Sequence, residues 1–264
     1  MSMTRLKTLL GGAAAAASMF ATPARAEFKL HYPIVDYREF EFEHNGDVTF
    51  DRRNSGLNNR QSYTDEIGYG FLPFWEPELE GEFEGIPGQN QRFDATTLEN
   101  TFQLAPQGEY WADLGFFAEY SQATSRTDPN SITFGPLVQK QTPTLFGLDL
   151  GSDTLHTFNL LFSKEIGAHR EDATPVAFAW QSRLLLDAYF QPGFEYYGQT
   201  SSIAGVSTPD QTVPVQHRIG PMFAGAFNFY QFGKIEYEVG YLFGLNDATE
   251  KGAVRWRLEY EKPF

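Results

Sequence analysis

Apolar and polar residues alternate along much of this chain, and this period of two constrains its fold more than any other feature. From Ile235 to Leu245 every second residue is apolar or aromatic, and Glu236 and Glu238 stand between them. Residues two apart in a β-strand lie on the same face of a sheet, whereas an amphipathic helix repeats about every 3.6 residues. The pattern therefore predicts long β-strands with one apolar face and one polar face.

About twelve segments of this kind, each roughly ten residues long, are separated by turn-forming residues, which is typical of an all-β, transmembrane, antiparallel up-and-down β-barrel. Short connections alternate with longer ones, as in barrels whose two ends face different compartments, and an even number of strands places both termini at the periplasmic end. Residues 142–153 are too many for a short turn and leave room for another hairpin. About ten or fourteen strands are therefore the alternatives.

A soluble β-sandwich would show the same alternation, because its sheets are also amphipathic. Three features favour the barrel: the strands are long, aromatic residues such as Tyr110, Trp180 and Trp256 lie near strand ends, and the chain stops on a strand that ends in Phe264. Aromatic girdles at both membrane interfaces are typical of outer-membrane barrels. We therefore expect membrane lipid to contact the apolar face.

Residues 1–26 have the parts of a secretory signal: a basic start, an apolar stretch, and Ala24-Arg25-Ala26 as a cleavage site. We expect their removal during export across the inner membrane, which leaves 27–264 as the barrel; an uncleaved helical anchor is the alternative. The chain has no cysteine, so a lipid-anchored start and disulfides are excluded. Cleavage takes away three basic residues and no acidic one, so the formal charge falls from −14 to −17. Such a charge repels nucleic acid, which is not an expected partner.

The ending Trp256-x-Leu258-x-Tyr260-x-x-x-Phe264 resembles the C-terminal strand of Gram-negative outer-membrane proteins, with Lys262 where a hydrophobic residue is usual. In those proteins the barrel-assembly machinery recognises a terminal aromatic residue preceded by alternating hydrophobic residues. The runs that begin at Glu66 and Trp111 also resemble uncharacterised porin-like transporters of proteobacteria. The resemblance implies a location in the bacterial outer membrane and assembly through Phe264, and it implies no particular solute.

If the apolar face contacts lipid, the charged positions line the lumen, because a charged residue in mid-membrane on the lipid face costs about 2–4 kcal/mol. Turn centres at Phe74 and at position 189 would place Glu66 opposite Glu82 and Arg183 opposite Glu195. The predicted lumen-lining residues are acidic on the early strands and basic on the late ones: Glu66, Glu78, Glu80, Glu82, Arg183, Arg218, Arg255 and Arg257.

Such a lumen predicts porin-like passive passage of small polar solutes, cationic ones among them. A closed structural or ligand-binding barrel filled by its own charges is the alternative, and an outer-membrane enzyme comes third. We expect no catalytic residues, because none of the five histidines lies in a paired strand motif that resembles outer-membrane phospholipases and no Gly-x-Ser-x-Gly occurs. We also expect no cofactor and no selective metal site. Carboxylates two apart on a strand are about 7 Å from each other, which favours loose accumulation of cations.

Overall fold

The computed structural model describes residues 28–53, 58–85, 88–200, 202–204 and 215–264. Within these ranges the chain forms twelve β-strands and a single 3₁₀ turn, Tyr230–Phe232. The strands are β1 Glu39–Phe50, β2 Gln61–Tyr69, β3 Trp75–Gly85, β4 Arg92–Gln103, β5 Asp113–Ala123, β6 Asn130–Thr142, β7 Thr154–Ile166, β8 Val176–Leu184, β9 Gln191–Gln199, β10 Gln216–Asn228, β11 Lys234–Gly244 and β12 Gly252–Pro263.

Each strand pairs antiparallel with its neighbours in the chain, and β1 pairs with β12 to close the sheet. This confirms the predicted up-and-down barrel and its strand number. Among the described residues, no helix is long and apolar enough to cross a membrane. Residues 1–26, the expected export signal, lie outside the described residues. We call the end at which β1 begins and β12 finishes the terminal end, and the opposite end the loop end.

The connection between β6 and β7 forms one isolated antiparallel bridge around a tight turn, in place of the additional pair of strands that its length allows. Leu145 and Leu148 exchange two backbone hydrogen bonds of 2.9 Å around a turn in which Phe146 and Gly147 have positive φ. The Phe146 ring then packs against the rings of Trp180 and Phe194, at 5.5 and 6.1 Å. The segment therefore covers the outside of the barrel near its terminal end without adding a strand.

The two faces of the sheet differ in the way that a membrane requires. Strand residues with large exposed apolar side chains cover the outside, among them Ile67, Leu79, Leu98, Val239 and Leu258. Charged side chains are buried inside, among them Glu66, Glu80, Glu99, Glu195 and Arg255. A soluble protein buries its apolar side chains and exposes its charges. The opposite arrangement is that of a barrel with lipid around it.

Two predicted cross-strand pairs are wrong, each by two residues of register. Glu66 lies opposite Glu80 and not Glu82, because the β2–β3 turn is centred on Pro73. Arg183 lies opposite Gly193, and Glu195 lies opposite Gln181. An even shift keeps every side chain on its predicted face and changes only its neighbours. Register depends on the geometry of the turn, which the alternation does not report.

Candidate functional site in the barrel lumen

Residues 28–35 lie inside the barrel, and we call them the inner segment. Phe28, Lys29 and Leu30 are between 5 and 8 % exposed, although they precede the first strand and belong to no sheet. The segment ends near the terminal end, where the Val35 backbone N–H donates to Oε1 of Gln103 on β4 at 3.0 Å. Sequence reasoning assigned no role to it, since a segment without alternation carries no signal for its position.

Lys29 places its ammonium group among three buried carboxylates on neighbouring strands. Its Nζ donates to Glu80 of β3 at 3.0 Å and to Glu99 of β4 at 2.9 Å, and it also donates to Glu66 of β2. Each of these glutamate side chains is at most 5 % exposed. A lysine ammonium has three donors and suits three acceptors. The lumen therefore contains a site that binds a primary ammonium ion.

The residue before Lys29 contacts the opposite side of the barrel. The Phe28 ring packs edge-on against Tyr197 of β9 at 5.6 Å, and the guanidinium carbon of Arg218 on β10 lies 4.7 Å from the ring centre. In the closed strand order, β9 lies six strands from β3 in either direction. Because consecutive side chains contact opposite sides, the inner segment crosses the lumen at this level.

Further contacts fix the rest of the inner segment. The Asn159 side chain on β7 accepts a hydrogen bond from the His31 backbone N–H and donates one to the His31 carbonyl oxygen, both at 2.8 Å. The His31 ring stacks on Phe117 of β5 with centroids 3.8 Å apart. The Tyr32 hydroxyl donates to Glu238 of β11. Polar side chains from around the whole barrel thus hold the segment.

The four predicted arginines all contact interior groups, but mostly on their own side of the barrel. Arg255 is 2 % exposed and donates from Nε to Glu195 at 2.7 and 2.8 Å and from Nη2 to Glu238 at 2.8 Å. Arg183 lies 3.7 Å from Glu238. Arg218 forms its ion pair with Glu250, near the loop end.

Arg257 is the exception among the four arginines, because it joins the last strand to the first. Its guanidinium donates to Glu43 of β1 and to Glu259 of its own strand β12. Since β1 and β12 close the sheet, this contact links the first and last strands from inside the barrel. Among the four predicted arginines, Arg257 is the one whose described ion pairs include a carboxylate of the early strands.

Four carboxylates on β1 and β3, which we call the acidic wall, are among those that have no basic side chain within 4.0 Å in the part of the chain that the structure describes. They are Glu41, Glu76, Glu78 and Glu82. Glu82 instead accepts hydrogen bonds from the hydroxyls of Thr97 and Ser121. Of the predicted acidic residues, Glu66 and Glu80 bind Lys29, whereas Glu78 and Glu82 belong to the acidic wall. The interior is consequently most negative along its first strands.

No protein-family model matches the sequence, and none of the curated proteins matches it. The structure is similar to that of the NanC porin, with a TM-score of 0.50 and 10 % identity, over 84 % of this chain and 100 % of that one. It is also similar to the outer membrane protein Omp33 of Acinetobacter baumannii, with a TM-score of 0.44 and 9 % identity, over 86 % of this chain and 98 % of that one. At such identities the likeness to the NanC porin shows a shared barrel fold.

Proposed function

We propose that this protein is a porin-like channel of the bacterial outer membrane that passes small polar solutes and favours cations. The observation that carries the proposal is the acidic wall, a set of inward carboxylates without basic partners among the described residues. Carboxylates that line a pore lower the energy of a passing cation and raise that of an anion. The apolar outer surface and the fold shared with the NanC porin support a channel in lipid.

The Lys29 site gives a second reason to favour cations. Glu66, Glu80 and Glu99 bind an ammonium ion that belongs to the chain itself, in the middle of the lumen. A solute with a primary ammonium group presents the same three donors to the same carboxylates. Such a solute would compete with Lys29 for the site.

The inner segment crosses the lumen in the state described, so we propose that passage through the channel requires the segment to move. Its crossing at Phe28 and Lys29 is also the observation that favours the second candidate, a closed barrel whose lumen is filled for stability. A channel would conduct once the segment is displaced or removed. A closed structural barrel would only lose stability.

The proposal includes export with residues 1–26 and assembly in the outer membrane through the last strand. The Phe264 side chain is 73 % exposed beyond the end of β12, and its backbone N–H donates to the Arg38 carbonyl oxygen at 2.9 Å. An aromatic side chain that is exposed beside the β1–β12 seam supports recognition by the assembly machinery.

Replacing Glu78 and Glu82 with glutamine should reduce the cation preference of the channel. A carboxylate about 8 Å from a passing ion in water contributes about 0.5 kcal/mol, so each substitution should lower the preference roughly twofold at low salt. The measurement is the reversal potential across a planar bilayer under a salt gradient, with the full chain and with a chain that lacks residues 28–33.

The matched control for this double variant is Glu109→Gln, because Glu109 is exposed in the β4–β5 turn and lies outside the lumen. It removes a charge of the same kind and should leave the reversal potential unchanged. If the double variant and the control gave the same potential as the unmodified chain, the acidic wall would have no part in ion selection.

A further inference from the structure

The described residues contain four groups of three carboxylates whose oxygens lie within 4.8 Å of one another. Three of the groups have a cation supplied by the chain. Lys29 binds the group at Glu66, and Lys234 lies 2.6 Å from Glu261, which two other groups share. The fourth group is Glu41, Glu76 and Glu78, and it has no basic side chain within 4.0 Å in the described ranges.

The fourth group forms because a glycine lies between its two strands. Gly68 of β2 lies opposite Glu41 of β1 on one side and opposite Glu78 of β3 on the other. A Cβ at Gly68 would lie 3.0 Å from Cγ of Glu78 and 3.5 Å from Oε1 of Glu76. Because Gly68 has no Cβ, carboxylates from β1 and β3 can meet over β2. Glutamates on a single strand are too far apart to share an ion, so the group needs this contribution from a second strand.

One oxygen of this group has no partner at all. Glu76 is 4 % exposed, and its Oε1 is buried without a hydrogen-bond donor among the described residues. Leaving a charged acceptor desolvated and unsatisfied is costly, and two further carboxylates at this distance add repulsion. A buried, unpartnered oxygen that points into a cluster of like charges would be stabilised by a bound cation.

We propose that Glu41, Glu76 and Glu78 bind a calcium ion near the terminal end of the barrel. The ligands are all carboxylate oxygens, without histidine or cysteine, which suits a hard cation. The three carboxylates offer oxygens within 4.8 Å of one another, and Ca²⁺ accepts such a set with small side-chain adjustments, because its ligands lie at about 2.3–2.6 Å in flexible geometry, whereas Mg²⁺ requires near-octahedral ligands at about 2.0–2.1 Å. Glu41 and Glu78 are half-buried, so water completes the coordination.

A calcium ion at this position would link β1 to β3 across β2, close to where the inner segment enters the lumen. Its two positive charges would also offset part of the negative charge carried by three of the four carboxylates of the acidic wall. The calcium site itself does not depend on the proposed channel function, because the carboxylates are present whether or not the barrel conducts.

The test is calorimetric titration of calcium chloride into the metal-free full barrel, refolded in an uncharged detergent at pH 7.5. We expect one ion per chain and a rise in the thermal midpoint with calcium. Glu76→Gln should weaken binding at least about tenfold, because it removes a charged ligand. Glu119→Gln, which neutralises another half-buried interior carboxylate, should bind calcium as the unmodified barrel does.

Gly68→Ala provides a second variant in case Glu76→Gln does not fold. It keeps all three carboxylates but places a methyl group among them, so calcium binding should weaken. The proposal is overturned if the unmodified barrel releases no heat and gains no thermal stability, which is the result expected when protons alone neutralise the group. It is also overturned if Glu76→Gln and Gly68→Ala bind calcium as tightly as Glu119→Gln does.

Discussion

A chain that lacks residues 28–33 should conduct ions several-fold better than the full chain in planar bilayers. The reason is that Phe28 and Lys29 contact opposite sides of the barrel, so the inner segment spans the lumen from one side to the other at that level and obstructs it. The deletion leaves every strand intact and keeps the contact of Val35 with Gln103. Single-channel recording of the purified protein measures the effect.

A reversible lock provides the control for this deletion. The chain has no cysteine, so His31→Cys and Asn159→Cys can be joined selectively by a short, cleavable thiol cross-linker. The backbone of His31 lies 2.8 Å from the Asn159 side chain, which places the two positions close together. The cross-linked chain should stay at the lowest conductance, and cleavage of the linker should restore that of the full chain. An unchanged conductance in a folded deletion variant would show that the segment does not obstruct the lumen.

Replacing Arg255 with glutamine should destabilise the barrel by about 3–5 kcal/mol, the range expected when one partner of a buried ion pair is removed. Arg255 donates to Glu195 and to Glu238, and all three side chains are at most 2 % exposed. Without the guanidinium, two carboxylates would remain desolvated beside each other. Urea unfolding in detergent, followed by tryptophan fluorescence, measures the loss.

Two further variants separate this effect from a general loss of charge. Arg126→Gln removes an exposed guanidinium from the β5–β6 loop and should change stability by less than about 0.5 kcal/mol. The double variant Arg255→Gln with Glu195→Gln should be more stable than Arg255→Gln alone, because Glu238 keeps its hydrogen bonds from Tyr32 and Gln181. If the double variant were no more stable than the single one, the buried carboxylate would not be the cause.

The candidate site illustrates where sequence reasoning ends. Inward positions such as Glu80 and Arg255 follow from alternation, because a charge next to a lipid-facing leucine or tryptophan on a strand lies on the other face. Lys29 does not follow, since it belongs to no strand. The sequence also does not indicate that Glu99 lines the lumen, because the same face of its strand carries threonines and no row of charged residues.

The sequence by itself predicted about twelve strands, with ten or fourteen as alternatives, and the face of each strand, because period-two alternation is a local property that each segment displays separately. The structure decided the count of twelve and the closure of β1 onto β12. Only the tertiary structure decided which charges meet. Arg255 and Glu195 are 60 residues apart, and their contact depends on several turns whose geometry sets the register of every strand between them. The place of the inner segment was decided in the same way, because the pocket for Lys29 exists only once β2, β3 and β4 are aligned in a closed barrel.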